Sequence, residues 1–523
     1  SKHFDKDLVE KVYAKNRVSA SVFEILTVSI FFSLGIFSSY EMFEVPAAAS
    51  VVLLFTICLM LFSALHSWLR GWVYAVFIVI LFSMDYLSVK TGMFNYTSYA
   101  YGLNYETAEK SPYSIQRIIE ISNREELNKN SLDAYIETLN NWKKNTGQEK
   151  PKMVLLNTSG GGSRSALWTV TVMQKIDKIL SGKVSRHTQL ITGASGGMIG
   201  AAYYRELLLR KNLNEISDIY TTKYRDKISM DMLNKLTFMG STNDILIRYQ
   251  KLKINGFKYT KDRGYAFEEQ LHKNTGGILD HDLGYYKPYE QQGIIPTMIF
   301  TPTIINDGRR LFISAQSMNF ITSHNGSSIN MPNSNENIDY HSLLDNQKTN
   351  EIRFSSVLRA SATFPFVMPM ITLPTKPETQ LMDAGIRDNY GGKTIMEFLF
   401  AVKDWIEENT SGVIILQVRD TKKIMDDESH SQVSFLDKIT LPFGNMYKNF
   451  PRVQDFNQDE LMNIGVLSFE FPVNIVSFNL LENKRNRISL SWHLTSQEKR
   501  KIHKAFNSPG NQQALDDLRR LLN

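Results

Sequence analysis

With 523 residues the chain is longer than one hydrophobic core usually serves, so at least two structural units are expected. The net charge of +6 comes without any Lys/Arg block interleaved with aromatics, which argues against nucleic acid as a partner. The single cysteine, Cys58, excludes intrachain disulfides and a cysteine metal site, and the sequence calls for neither metal nor cofactor.

Apolar residues make up 43% of the chain but crowd towards its start. After a mixed-charge stretch over residues 1–17 come three apolar runs, Val18 to Tyr40, Pro46 to Leu65 and Trp72 to Val89. Each is near the ~20 residues that cross a hydrocarbon layer. Three core helices of a soluble protein would be the alternative, but runs this apolar on such short links favour a membrane. Glu24 and Asp85 lie near run ends, where a carboxylate can reach the interface. A cleaved signal peptide fits badly, because Ala47-Ala48-Ala49 follows too long a run and two more come after it. Lys11, Lys15 and Arg17 precede the first run, whereas the first link carries Glu41 and Glu44 and no base. The positive-inside rule then predicts a cytoplasmic N-terminus, with everything after residue 90 across the membrane, periplasmic in a bacterial inner membrane.

Residues 91–150 read as a tyrosine-rich interfacial linker followed by a charged helix. Met153 to Leu156 is a compact strand that ends in Ser159-Gly160-Gly161-Gly162-Ser163-Arg164, with helical spacing from Ala166. Gln189 to Thr192 is a second strand, stopping at Gly193-Ala194-Ser195-Gly196-Gly197 before another helix. Strand, glycine loop and helix, twice over, predict a parallel α/β sheet with crossovers. Residues 201–290 are expected to form a charged helical insertion. Further strands are expected at Ile295 to Thr301, Arg309 to Ser314, Leu381 to Asp383 and Gly412 to Val418. Phe354 to Met370 reads as a helix broken at Pro365, and the tail, 470–523, as a strand or two (ISLSWHL) plus a polar terminal helix. The expected domains are thus 1–90 in the membrane, a linker over 91–150, an α/β domain over 151–420 and an extension over 421–523.

The chemistry centres on Ser195. Gly193 and Gly197 flank it in a G-x-S-x-G pattern, which holds a serine on a strained strand-to-helix turn. A serine hydroxyl needs a base and donors for its oxyanion. Gly160, Gly161 and Gly162 can offer backbone amides at a helix start, although a phosphate loop or a plain turn would read the same. For the base, His187 precedes the strand and should lie at the far end of the sheet, while His324 and His493 stay open. Asp383 is the better candidate, since it closes a strand at the end where loops gather over a site. Gly392-Lys393-Thr394 lacks the earlier glycine of a phosphate loop, and Asp426-Asp427 reads as a solvated loop. Leu436, Ile439, Phe443, Met446, Tyr447 and Phe450 have core-like spacing that would also suit a lid.

Taken in order, SGGGSR at 159–164, GASGG at 193–197 and DAG at 383–385 resemble the motifs of the patatin-like phospholipase family. Arg359 to Pro365, Pro369 and Leu381 to Asn389 are similar to that family's approach to its aspartate, and Ile294 to Ser314 to its central strand region. The likeness covers roughly residues 150–420. It implies an α/β sheet with flanking helices, a Ser–Asp dyad of Ser195 and Asp383, and an oxyanion hole at Gly160 to Gly162. It also implies a lipid acyl ester as substrate, and Arg164 falls where the family carries a basic residue. Three positions depart from the family pattern: Ser159 for a common Asp, Ser165 for Gly, and Ala384 for Gly. The expected protein is a membrane-anchored lipid acyl hydrolase of the phospholipase A or lysophospholipase type, acting on membrane phospholipid. An acyltransferase using the same dyad, or a lipid-binding scaffold that has lost turnover, are the alternatives.

Overall fold

A computed structural model describes residues 5–37, 41–43, 45–91, 96–106, 109–244, 248–322, 335–364, 367–421, 453–480 and 488–523. The chain divides into two compact units, one of residues 1–98, 232–270 and 366–369, the other of residues 99–231, 271–365 and 370–523.

The first unit holds the three apolar runs as helices α1 (Lys6–Ile36), α2 (Ala47–Leu69) and α3 (Val73–Thr91), each long and apolar enough to cross a membrane. At 31 residues α1 spans roughly 46 Å, so its charged first turns extend beyond any hydrocarbon layer. The helices leave large apolar side chains such as Phe55, Leu59 and Phe82 uncovered. In water that surface would be a liability; in lipid it costs nothing. Cys58 is also exposed on α2.

Residues 232–270, part of the insertion expected over 201–290, belong to this unit. They contain a helix, Leu233–Met239, and an antiparallel hairpin of Lys251–Ile254 with Phe257–Thr260. The expectation of helix throughout fails here for a local reason. Asn255-Gly256 is a two-residue hairpin turn, with both residues at positive φ (49° and 85°), and K-L-K-I before it alternates as a strand does. Helix Leu233–Met239 meets the start of α2, where Asn234 Oδ1 accepts from the Ala47 amide at 2.9 Å. Near the end of α1, Gln250 Nε2 donates to the Gly35 carbonyl at 2.9 Å. A Cβ on Gly35 would fall 2.7 Å from Thr242 Cβ, so glycine sets that approach.

The second unit is built on a five-stranded, wholly parallel sheet. Its strands are β1 (Met153–Thr158), β2 (Thr188–Gly193), β3 (Thr297–Phe300), β4 (Val413–Arg419) and β5 (Val473–Asn479), in the spatial order β5-β4-β1-β2-β3. β1 and β2 are buried at every residue, as befits strands covered on both faces. The crossover helices α4 (Gly162–Ile179) and α5 (Ser195–Asn212) begin where β1 and β2 end. One core face gathers Leu155, Leu190, Ile299, Ile415, Tyr135 and Trp405.

A second sheet carries the strand Thr379–Met382, antiparallel to Ile371–Leu373 on one side and to Thr303–Ile304 on the other. The helix expected from Phe354 stops at Ala362, before Pro365. β5 extends the main sheet beyond residue 420, so part of the expected extension completes the α/β core. ISLSWHL is not a strand: Ile488 and Ser491 turn their carbonyls to Arg164 and Ser163 at the start of α4. The tail ends in two helices, Ser496–Ala505 and Pro509–Leu522. The apolar spacing from Leu436 to Phe450 and Asp426-Asp427 lie outside the described residues.

Candidate active site

The site forms at the C-terminal ends of β1 and β2, and its tightest constraint is steric. Gly193 ends β2 with φ 149°, and a Cβ there would fall 2.0 Å from the Thr158 carbonyl oxygen of β1. The chain turns through Ala194, whose amide donates to that same carbonyl at 3.0 Å. Ser195 then opens α5 at φ 50°, a left-handed conformation costing roughly 1–3 kcal/mol in a residue with a side chain. Packing enforces it. Cβ atoms on Gly196 and Gly197 would meet the carbonyl oxygens of Gly162 and Ser159 at 1.9 and 2.4 Å. The glycines therefore let α5 lie directly on the loop that opens α4.

That loop is held by side chains from distant segments. Arg164 donates from Nε and Nη2 to Asp420 Oδ2 (2.9 and 2.5 Å) and from Nη1 to the Ile488 carbonyl (2.8 Å). Asp420 follows β4, and its amide donates to Ser159 Oγ at 2.8 Å. Ser165 Oγ donates to the Ser159 carbonyl at 2.5 Å. Both serines that depart from the expected pattern thus brace the loop, and Asp420 brings a carboxylate beside position 159. Gly161 (φ 149°) and Gly162 (φ 59°) complete the turn, and a Cβ on Gly161 would fall 2.4 Å from Asp420 Oδ2.

The three glycines expected to supply oxyanion donors are not equivalent. The Gly160 amide donates to the Asn389 carbonyl at 3.0 Å, so it is already spent. Among the described residues the Gly161 and Gly162 amides make no hydrogen bond, which leaves them available at the positive end of α4.

Asp383 arrives from the second sheet. Its amide donates to the Thr363 carbonyl at 3.0 Å, its carbonyl accepts from Thr303 Oγ1 at 3.1 Å, and its Oδ1 accepts from the Gly385 amide at 2.7 Å. Burial pushes its carboxyl up to about 6, against the opposing pull of the Gly385 amide and of the nearby Ser195 hydroxyl. Ser195 and Asp383 are each almost wholly buried, at 8% and 5% exposure, and the hydroxyl is near enough to act on the carboxyl.

The loop after Asp383 rests on a buried ionic network. Asp388 Oδ2 accepts from the Thr394 amide (3.0 Å) and hydroxyl (2.8 Å). Arg310, fully buried, reaches Glu397 at 2.5 Å, Asn337 at 2.7 Å and Asp388 at 3.4 Å. Gly392-Lys393-Thr394 accordingly serves this network. Asn389 couples the two loops, with its carbonyl on Gly160 and its Nδ2 donating to Asp455 Oδ1 at 3.4 Å. Burial also pushes the Asp455 carboxyl up to about 6, opposed first by Arg419 and then by Asn389.

The candidate histidines are engaged elsewhere. His187 Nδ1 sits 2.8 Å from the Lys152 carbonyl beside the start of β1, and the exposed His493 Nδ1 sits 2.6 Å from Asp231 Oδ1. His324 lies outside the described residues. Asn389, Asp420 and Arg310 are the site residues to which sequence reasoning gave no role: Asn389 and Arg310 lie inside family-like segments that do not mark them singly, and Asp420 lies in no motif.

A family model described as patatin-like phospholipase matches residues 156–391. No curated protein matches the chain. Among solved structures, the crystal structure of VipD from Legionella pneumophila is similar at 13% identity and a TM-score of 0.29, over 70% of this chain and 67% of that one. So distant a superposition carries no argument about chemistry.

Proposed function

Because the chain belongs to the patatin-like phospholipase family through residues 156–391, we propose that it is a membrane-anchored serine hydrolase of lipid acyl esters, working through a Ser195–Asp383 dyad. What supports the reading is the buried Asp383 carboxyl, raised to about 6 by burial with the Ser195 hydroxyl near enough to pull it back. Such a carboxyl is a stronger base than a solvated one and still ionised at neutral pH.

Ser195 Oγ attacks the acyl carbonyl carbon and gives its proton to Asp383. The charge on the carbonyl oxygen is met by the Gly161 and Gly162 amides. As the tetrahedral intermediate collapses, the ester C–O bond breaks and the lipid alcohol leaves with the proton from Asp383. Water then attacks the acyl-serine, gives a proton to Asp383, and releases the fatty acid as Ser195 takes that proton back. The substrate is membrane phospholipid or lysophospholipid. The three apolar helices confine the chain to the bilayer that holds the substrate, so local concentration replaces tight binding. The charge bias around α1 to α3 favours a bacterial inner membrane with the catalytic unit on the periplasmic face.

The spent Gly160 amide is the one observation that favours a scaffold without turnover. A fluorophosphonate probe separates the two readings. Labelling of the wild type, its loss in Ser195→Ala, and fatty acid release from phospholipid vesicles by the wild type alone support hydrolysis. A folded wild-type chain that neither labels nor releases fatty acid overturns it. Acyl transfer to an added lipid alcohol in place of release would make the enzyme a transferase.

A further inference from the structure

The hairpin in the first unit carries an arrangement the active site leaves unexplained. Its register sets Lys251 opposite Thr260 and Lys253 opposite Lys258. Paired residues share a face, so Lys251, Lys253 and Lys258 project together, while Leu252, Ile254, Phe257 and Tyr259 occupy the other side. All three lysines are exposed, and among the described residues none forms an ion pair. A like-charge pair directly across two strands destabilises the hairpin that holds it. An outside anion lying over the pair would relieve that repulsion.

The position of the hairpin says which anion. Gln250, the residue before it, bonds to Gly35 at the end of α1. Asn234 of the same segment bonds to Ala47 at the start of α2. The hairpin therefore springs from the level where α1 ends and α2 begins, which is a headgroup level if these helices cross a bilayer.

We propose that Lys251–Thr260 is a headgroup-binding hairpin whose lysine face takes anionic phospholipid of the same bilayer. The inference rests on the membrane reading of α1 to α3 and adds to it a preference for lipid charge. It goes beyond catalysis, because no dyad or glycine-loop residue takes part.

The test uses the full chain in nanodiscs of phosphatidylcholine alone or with about 30% phosphatidylglycerol. The rate of amine labelling at each lysine is read by mass spectrometry. Anionic discs should slow labelling of Lys251, Lys253 and Lys258 by roughly three-fold or more, and about 0.5 M salt should abolish the difference. Lys348, an exposed lysine of the other unit, should be unaffected. Lys253→Gln/Lys258→Gln should still enter discs and should weaken the protection at Lys251. Equal labelling in both discs, for incorporated protein, overturns the hairpin proposal and leaves the membrane reading standing. A folded chain that stays out of discs overturns the membrane reading, and the hairpin proposal with it.

Discussion

Asp383 bears on stability and on rate in opposite directions. Its folded pKa of about 6 lies above that of a solvated aspartate, so the folded state holds the proton more tightly than the unfolded one. Its contribution to stability is fully present below about pH 4 and is lost as pH rises through 6. Over those ~2 units the ionised form forfeits roughly 2–3 kcal/mol. Asp383→Asn should therefore raise the thermal midpoint at pH 7.5 while cutting fatty acid release by about 10²–10⁴-fold. Wild-type activity should rise with pH through 6 and level off, since only the carboxylate accepts the proton. Asp455 titrates in the same range, and Asp455→Asn should leave that rise in place. Arg164→Ala removes the two donors that hold Asp420 against the glycine loop. It should lower kcat by roughly 10–100-fold with little change in KM, as charged hydrogen bonds of about 1.5–3 kcal/mol are lost. Ser195, Asp383 and the glycines could be read from the sequence because each sits in a short motif dictated by its own backbone. Asp420 and Asn389 could not, because their roles exist only once the ends of β4 and the Asp383 loop meet the glycine turn.

Between elements, the critical contact is that of α4 with α5. Gly196→Ala would drive a methyl into the Gly162 carbonyl, 1.9 Å from the ideal Cβ position, and neither backbone has room to yield. We expect a loss of at least about 1–3 kcal/mol in chemical denaturation, together with loss of probe labelling. Gly256→Ala in the hairpin turn meets nothing within 4 Å and should cost only the strain of its positive φ. The parallel strands beside the site were legible because their apolar runs are short and end in glycine. β5 was not: only Val476 and Phe478 are buried while Ile475 is exposed, so Val473–Asn479 shows neither a continuous apolar run nor strict alternation. The Asn255-Gly256 signal was present but masked by the charged residues around it. ISLSWHL alternates like a strand, yet its carbonyls go to the start of α4, a competition that sequence periodicity does not register.

At the scale of the whole chain, one polypeptide combines helices that suit lipid with an α/β unit that suits water. The hydropathy pattern shows that division directly, since burial in water and immersion in lipid select opposite surfaces. It did not show that residues 232–270 group with the apolar helices across some 140 intervening positions. Membranes carrying the full chain should retain it after carbonate washing, and a soluble full-length product would refute the anchor. A more exact measurement is already built in. Cys58 is the one thiol in 523 residues and stands uncovered on α2. A nitroxide attached there needs no mutagenesis to be unique. If α2 crosses a bilayer, molecular oxygen should broaden its resonance more than a water-soluble nickel chelate does, and the ratio of the two effects is a depth gauge for the whole anchor.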